Sequence, residues 1–351
     1  MTSNQTALKV ARWLARWSLR AVGPVVLVML LVFVVDYGEL RKIARDLDLR
    51  WALAAVAMVQ ATIFFRTTRW IDLHETFGLR RASLNYQLRL TYATNLATLA
   101  LPQIVNPLSR LVLLVQDGYP TRRSAAASVV EKLYDFASFV AFGLIGTIYL
   151  ASEFGALVWW AVAAAIAGLA VLVAIYAFRS HLDSLIAAFL PRVPGFRDLA
   201  NGESSMGVLH ELWATLRPRV VIRLFLASLI IALTQATMLY LLSRSLGLGL
   251  SYVYMVAVWG VIALTMLLPI SVNGLGTREA VLIAAFHAVD RSTDAAVALG
   301  LLILIVSAIG SAPGAIEWLR RAFMPSASNA APASPSAPAS ALPARGADPR
   351  E

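Results

Sequence analysis

Two arginines, Arg110 and Arg278, each follow an interruption in a long apolar stretch of this chain. The interruptions share the pattern Leu-Pro-x-x-Val-Asn at 101–106 and 268–273, 167 residues apart. A helix that restarts after such a break exposes unpaired backbone N–H groups and the positive end of its dipole. A guanidinium group adds a planar pair of donors that fits a phosphate. These residues therefore predict a site for an anionic or phosphorylated group.

Several polar residues and glycines near the two arginines could contact the same ligand. Gly274 and Gly276 have no side chain, so the backbone could approach a ligand closely there. Glu279 directly follows Arg278 and could position it or contact a cationic group of the ligand. The candidate substrate-binding residues are Asn106, Arg110, Glu131, Asp135, Asn273, Gly274, Gly276, Arg278 and Glu279. The alternative is that the arginines only neutralise nearby carboxylates in structural ion pairs.

Glu131 and Asp135 lie in an otherwise largely apolar segment, where ionisable residues are costly and suggest a function. Their spacing of four residues places both on one face of a helix. They could form a proton or cation site that couples transport, or they could pair with nearby arginines. We favour the pairing.

The composition indicates an integral membrane protein. Hydrophobic residues make up 59% of the chain and charged residues only 14%, whereas a soluble domain has about 25% charged residues. A full span needs roughly 20 apolar residues. The predicted full spans are about 17–36, 50–70, 124–150, 155–178, 220–243 and 295–317.

Two further apolar segments, 85–116 and 251–290, contain the Pro and Gly interruptions. Lipid cannot satisfy the hydrogen bonds of backbone freed by such breaks, so that backbone must be buried in protein or line a wet cavity. We therefore predict two re-entrant broken-helix hairpins. The expected fold is an all-α integral membrane protein with about six full spans and these two hairpins.

The chain also shows signs of an internal repeat. An offset of 167 or 168 residues maps the first break and its flanking spans onto the second break and its flanking spans. With the N-terminus inside, the two copies run in opposite directions across the membrane, which makes an inverted-topology repeat. The predicted repeat halves are about 17–150 and 155–317.

The distribution of Lys and Arg supports this orientation. Segments placed inside hold 17 basic residues and those placed outside hold six, as the positive-inside rule expects. In this count, residues 66–85 are a cytoplasmic segment. We expect a bacterial-type inner membrane protein with both termini cytoplasmic. The net charge of +10 is attributed to basic residues at the cytoplasmic face of the membrane, so we predict no binding to nucleic acid.

The remaining segments divide the chain into a polytopic membrane domain, 1–322, and a tail. Residues 179–219 form a polar cytoplasmic loop with an amphipathic stretch, and the Ala/Pro/Ser-rich tail 325–351 is predicted to be disordered. The chain has no Cys and only four scattered His residues, and it has no nucleotide-binding loop. We therefore predict no catalytic residue, no metal site and no cofactor, and we expect a protein that is not an enzyme.

The second interruption resembles a known family motif. Pro269 to Glu279 is similar to the Pro-x-Ser-x-Gly-Gly-x-Gly-x-x-Glu signature of the flippase-like family, that of the lysylphosphatidylglycerol synthase transmembrane region. The run from Gly118 to Asp135 also resembles that family, with Lys132 in place of its usual Arg. The family usually has glycines before the first Arg, whereas this chain has Asn-Pro-Leu-Ser. The resemblance covers about residues 10–322.

This resemblance implies movement of a lipid with a charged or phosphorylated headgroup between leaflets. The chain corresponds to the membrane part of the family without its synthase domain, so we expect it to carry a lipid rather than make one. One alternative is an accessory subunit of a lipid- or glycan-modifying enzyme, with 179–219 as the contact. A membrane-embedded lipid transferase is the less favoured alternative. If the protein carries a lipid, a membrane lipid is its expected partner.

Overall fold

The computed structural model describes residues 47–99, 106–150, 218–266 and 277–323, with three isolated positions outside these ranges. Within these ranges the regular structure is entirely α-helical, which confirms the predicted all-α class there. The helices are α1 (Leu49–Thr76), α2 (Leu84–Thr98), α3 (Asn106–Gln116), α4 (Thr121–Tyr149), α5 (Pro218–Ser245), α6 (Tyr252–Thr265), α7 (Thr277–His287), α8 (Thr293–Ser311) and α9 (Pro313–Phe323).

Three of the described helices, α1, α5 and α8, are long and apolar enough to cross a membrane. α1 and α5 contain the predicted spans 50–70 and 220–243. α4 has 29 residues and covers nearly all of the predicted span 124–150, but it carries a cluster of charges. The segments predicted for the rest of the chain lie outside the described residues. They are the spans 17–36 and 155–178, the loop 179–219 and the tail 325–351.

The predicted span 295–317 is corrected by the structure, because two helices share it. α8 ends at Ser311 and α9 begins at Pro313. Proline has no backbone N–H and cannot donate to the carbonyl four residues earlier, but it fits the first position of a helix. The apolar pattern continues through Pro313, so hydropathy alone did not show this division.

Each predicted broken segment contains two short helices. α2 and α3 lie in 85–116, and α6 and α7 lie in 251–290. Within each pair the two helices contact each other. The residues that join them, 100–105 and 267–276, lie outside the described residues, so the re-entrant hairpins stay a prediction.

α1 and α5 form the central antiparallel pair. The Asp48 N–H donates to the carbonyl of Ser245 at 3.0 Å at one end, and Arg223 lies 3.1 Å from Asp72 at the other. Between these ends, the hydroxyls of Thr62 and Thr234 are hydrogen-bonded at 2.8 Å. The start of α1 therefore lies beside the end of α5, and the end of α1 lies beside the start of α5, at opposite ends of the pair.

Glycines let helices from different halves of the chain pack with their backbones in contact. A Cβ added to Gly260 of α6 would lie 2.3 Å from the carbonyl oxygen of Phe142 in α4. A Cβ on Gly314 of α9 would lie equally close to the Tyr92 carbonyl oxygen in α2. Small residues allow such close approach between membrane helices. Thus α4, from the first half of the chain, packs against α6, the first helix of the second broken segment. In the same way α9, from the second half, packs against α2, the first helix of the first broken segment.

Gly260→Ala tests this close packing. The added methyl group meets a backbone oxygen, so α4 and α6 must separate, and we expect a loss of roughly 1–3 kcal/mol of stability. The measurement is thermal unfolding of the purified protein in detergent. Ala57→Val, on an exposed face of α1, is the control. Equal melting temperatures for Gly260→Ala and the unmodified protein would contradict the close contact.

Candidate functional site

A buried arginine on α1 joins three helices. The Arg69 side chain is fully buried. Its Nη2 lies 3.1 Å from Glu131 Oε1 and its Nη1 lies 2.7 Å from Asp135 Oδ1, both on α4. Nη1 also donates to Ser228 Oγ of α5 at 2.7 Å. Arg69 thus supplies the counter-charge that two buried carboxylates require.

Sequence reasoning missed Arg69 because it treated residues 66–85 as a cytoplasmic segment. α1 continues without interruption to Thr76 and carries the arginine into the protein. The favoured interpretation of Glu131 and Asp135, pairing with an arginine, agrees with the structure, but their main partner is Arg69. A useful signal was the spacing of Thr62, Arg66 and Arg69, which places these polar residues on one side of α1.

Arg110 lies on α3 beside this ion cluster and is only 3% exposed. Its Nη2 donates to Thr91 Oγ1 of α2 at 2.6 Å, and its Nη1 lies 3.8 Å from Glu131 Oε1. The guanidinium carbon is 4.2 Å from the ring centroid of Trp70, a cation–π geometry. Arg110 and Glu131 are therefore neighbours, as candidate residues of one site should be.

A polar pocket opens next to Arg110. It has a volume of about 20 Å³ and includes Arg66, Lys132, Glu131 and a polar stripe of α2. That stripe consists of Thr91, Thr94, Asn95 and Thr98. Their spacing of three and four residues places them on one face of the helix. Sequence reasoning missed this face, although the spacing was visible in an otherwise apolar segment.

The second candidate arginine, Arg278, lies at the start of α7 and is 4% exposed. Its Nη2 contacts Glu279 Oε1 at 2.5 Å and donates to the carbonyl oxygen of Gly300 in α8 at 3.1 Å. Arg110 and Arg278 are 168 residues apart, and each reaches the long helix that follows its own broken segment. The geometry gives Arg278 a structural ion pair whether or not it also contacts a ligand.

The other predicted residues of the second break, Asn273, Gly274 and Gly276, lie outside the described residues. Asn106 is the first residue of α3. Within the described ranges, no group of three or more His, Cys, Asp or Glu residues could hold a metal ion. The structure thus brings Arg110, Glu131 and Asp135 together and places Arg278 beside Glu279.

The described helices thus combine candidate membrane spans with a buried arginine–carboxylate cluster and a polar pocket. Residues 20–314 match the family described as the lysylphosphatidylglycerol synthase TM region. The match covers most of the chain, and the chain belongs to this family. The family resemblance predicted from residues 10–322 is therefore confirmed. No curated protein and no solved structure matches the chain.

Replacing Arg69 tests the structural role of the ion cluster. Arg69→Gln leaves two buried carboxylates without their main counter-charge, so we expect a loss on the order of 3–5 kcal/mol in stability. Adding Asp135→Asn removes one of these charges and should recover part of the loss, a coupling that a double-mutant cycle measures.

The measurement is thermal unfolding in detergent, with Arg81→Gln as the control because the Arg81 side chain is 90% exposed. If the losses from Arg69→Gln and Asp135→Asn simply added, the two side chains would not form the pair seen here.

Proposed function

We propose that this protein carries a lipid with a charged or phosphorylated headgroup across the inner membrane, and that it is a carrier rather than an enzyme. The observation that carries the proposal is the polar pocket beside Arg110, built among helices of a family of lipid-related membrane domains. A headgroup could cross the apolar layer through such a polar region while its acyl chains stay in lipid.

The proposed transport path uses both halves of an inverted-topology repeat. Three observations support this proposal. α1 and α5 are antiparallel, and Arg110 and Arg278 each contact the long helix that follows their own broken segment. The first helix of each broken segment also packs against a helix from the other half of the chain. Transporters with such repeats bind substrate between broken helices near the membrane midplane. The pocket's 20 Å³ has room for water but not for a lipid headgroup, so the helices must separate when substrate enters.

Arg110→Gln tests the proposed site. The variant removes a guanidinium group that could make charge-assisted hydrogen bonds to a phosphate, each worth about 1.5–3 kcal/mol. We therefore expect the rate of headgroup translocation to fall roughly tenfold or more. The assay follows phospholipids with a fluorophore on one acyl chain in proteoliposomes, by quenching of the outer leaflet.

Arg81→Gln is the matched control, because it removes an exposed arginine on the same half of the chain. Arg278→Gln in the same assay tests the second half-site. Failure of the unmodified protein to move any phospholipid of a varied panel would refute transport. An unchanged rate in Arg110→Gln would remove the pocket from the path.

We propose that the membrane end formed by the start of α2 and the start of α4 is cytoplasmic, with both chain termini on that side. This assignment rests on the excess of Lys and Arg in the segments placed there, an excess that remains when Arg66 and Arg69, which lie in α1 beside the ion cluster, are left out. The absence of Cys from the sequence allows single-cysteine variants without background labelling. Arg81→Cys and Arg291→Cys lie at opposite ends, and both positions are exposed.

In intact cells with a permeable outer envelope, a membrane-impermeant maleimide should label Arg291→Cys and spare Arg81→Cys. Disruption of the inner membrane should expose both. The opposite labelling pattern would reverse the orientation, and labelling of both in intact cells would refute a membrane barrier between these ends.

A further inference from the structure

We infer that the headgroup carried by this protein is anionic and hydroxylated, such as a glycerol or sugar joined through a phosphate, and that ammonium headgroups are disfavoured. The inference rests on the proposed transport function and adds the chemical class of the substrate. It follows from the charge of the pocket and from the direction of its hydrogen bonds.

The buried site carries an excess of positive charge. Arg66, Arg110 and Lys132 line the pocket together with one carboxylate, Glu131. Adding Arg69 and Asp135, whose carboxylate contacts both Arg69 and Lys132, leaves the same excess of two, with four cations against two anions. Buried charge is costly unless it is paired. An anionic ligand would supply the missing counter-charge, whereas an ammonium group would increase the excess.

The pocket arginines also retain unused donors. The Nε atoms of Arg66 and Arg110 are buried and have no hydrogen-bond partner in the described part of the chain. Buried donors normally have a partner, so each such atom calls for an explanation. These atoms are closed to solvent, so a ligand reaches them only when the helices separate; a phosphate oxygen is then a suitable acceptor, because guanidinium groups bind phosphate through several donors at once.

The polar stripe of α2 offers acceptors instead. The hydroxyls of Thr94 and Thr98 already donate to carbonyl oxygens of their own helix, Leu90 at 2.9 Å and Asn95 at 2.7 Å. Since a hydroxyl has one hydrogen, these threonines offer a ligand their oxygen lone pairs while those bonds are kept. Such acceptors suit hydroxyl or ammonium donors, and the excess of positive charge favours the hydroxyl, so a headgroup that fits the pocket combines a phosphate with hydroxyl donors.

The experiment compares four probes in proteoliposomes of the unmodified protein. They are phosphatidylglycerol, phosphatidic acid, phosphatidylethanolamine and lysylphosphatidylglycerol, each with the fluorophore on an acyl chain. We expect phosphatidylglycerol to cross roughly tenfold faster than the two ammonium lipids. Phosphatidic acid, which has the phosphate but no hydroxylated group on it, should fall between them.

Two variants assign the preference to residues. Arg66→Gln should slow phosphatidylglycerol while leaving the slow rate of phosphatidylethanolamine nearly unchanged. Thr94→Val with Thr98→Val should bring the rate of phosphatidylglycerol down to that of phosphatidic acid. Thr237→Val, which removes a half-exposed hydroxyl of α5 that is hydrogen-bonded to Tyr252 and lies outside the pocket lining, is the control and should change neither ratio.

Different results would overturn different statements. Equal rates for all four lipids, or faster movement of lysylphosphatidylglycerol, would overturn the anionic preference and leave the transport proposal standing. No movement of any lipid would overturn the transport proposal and, with it, this inference. A phosphatidylglycerol preference that persists unchanged in both pocket variants would overturn the assignment to this pocket.

Discussion

The pairing of Arg69 with Glu131 and Asp135 is the constraint on which the rest of the site depends. Each group alone would be very costly to bury, so the three must be placed together within a few ångströms. That requirement fixes α1 against the middle of α4, and the contact with Ser228 adds α5. Arg69 contacts Glu131 Oε1 at 3.1 Å, and Arg110 lies 3.8 Å from the same oxygen, so Arg110 is the less tightly paired of the two arginines.

The two halves of the chain use similar positions for different purposes. In the first half, Arg110 lies over Trp70 at the edge of a charged pocket. In the second, Arg278 is held by its neighbour Glu279 and by the Gly300 carbonyl. The first half has lost the family's glycines before the arginine, yet it contains the described pocket. Within the part of the chain that the structure describes, the pocket lies in the first half, and we propose that it contacts the headgroup.

The sequence predicted the helices best where an apolar run was long or where Pro and Gly interrupted it. Apolar runs located α1, α5 and most of α4, and Pro and Gly located the broken segments. Sequence patterns failed at two places. Arg69 was counted with the cytoplasmic segment 66–85, whereas α1 buries it in the protein, and Pro313 divides an apolar run that was predicted as one span. The ion-pair partners could not be predicted, because no spacing along the chain indicates that Arg69 and Glu131 are in contact.

The most direct test of the central claim is to map where a lipid headgroup binds. A phosphatidylglycerol carrying a diazirine on its headgroup would be photo-crosslinked to the protein in proteoliposomes, and the labelled peptides sequenced by mass spectrometry. The pocket predicts labels on α2 from Thr91 to Thr98 and on α3 around Arg110, lost with excess unlabelled phosphatidylglycerol and in Arg110→Gln. Labels confined to exposed residues away from the pocket, such as Leu53 and Ile145, and unaffected by competition, would contradict it.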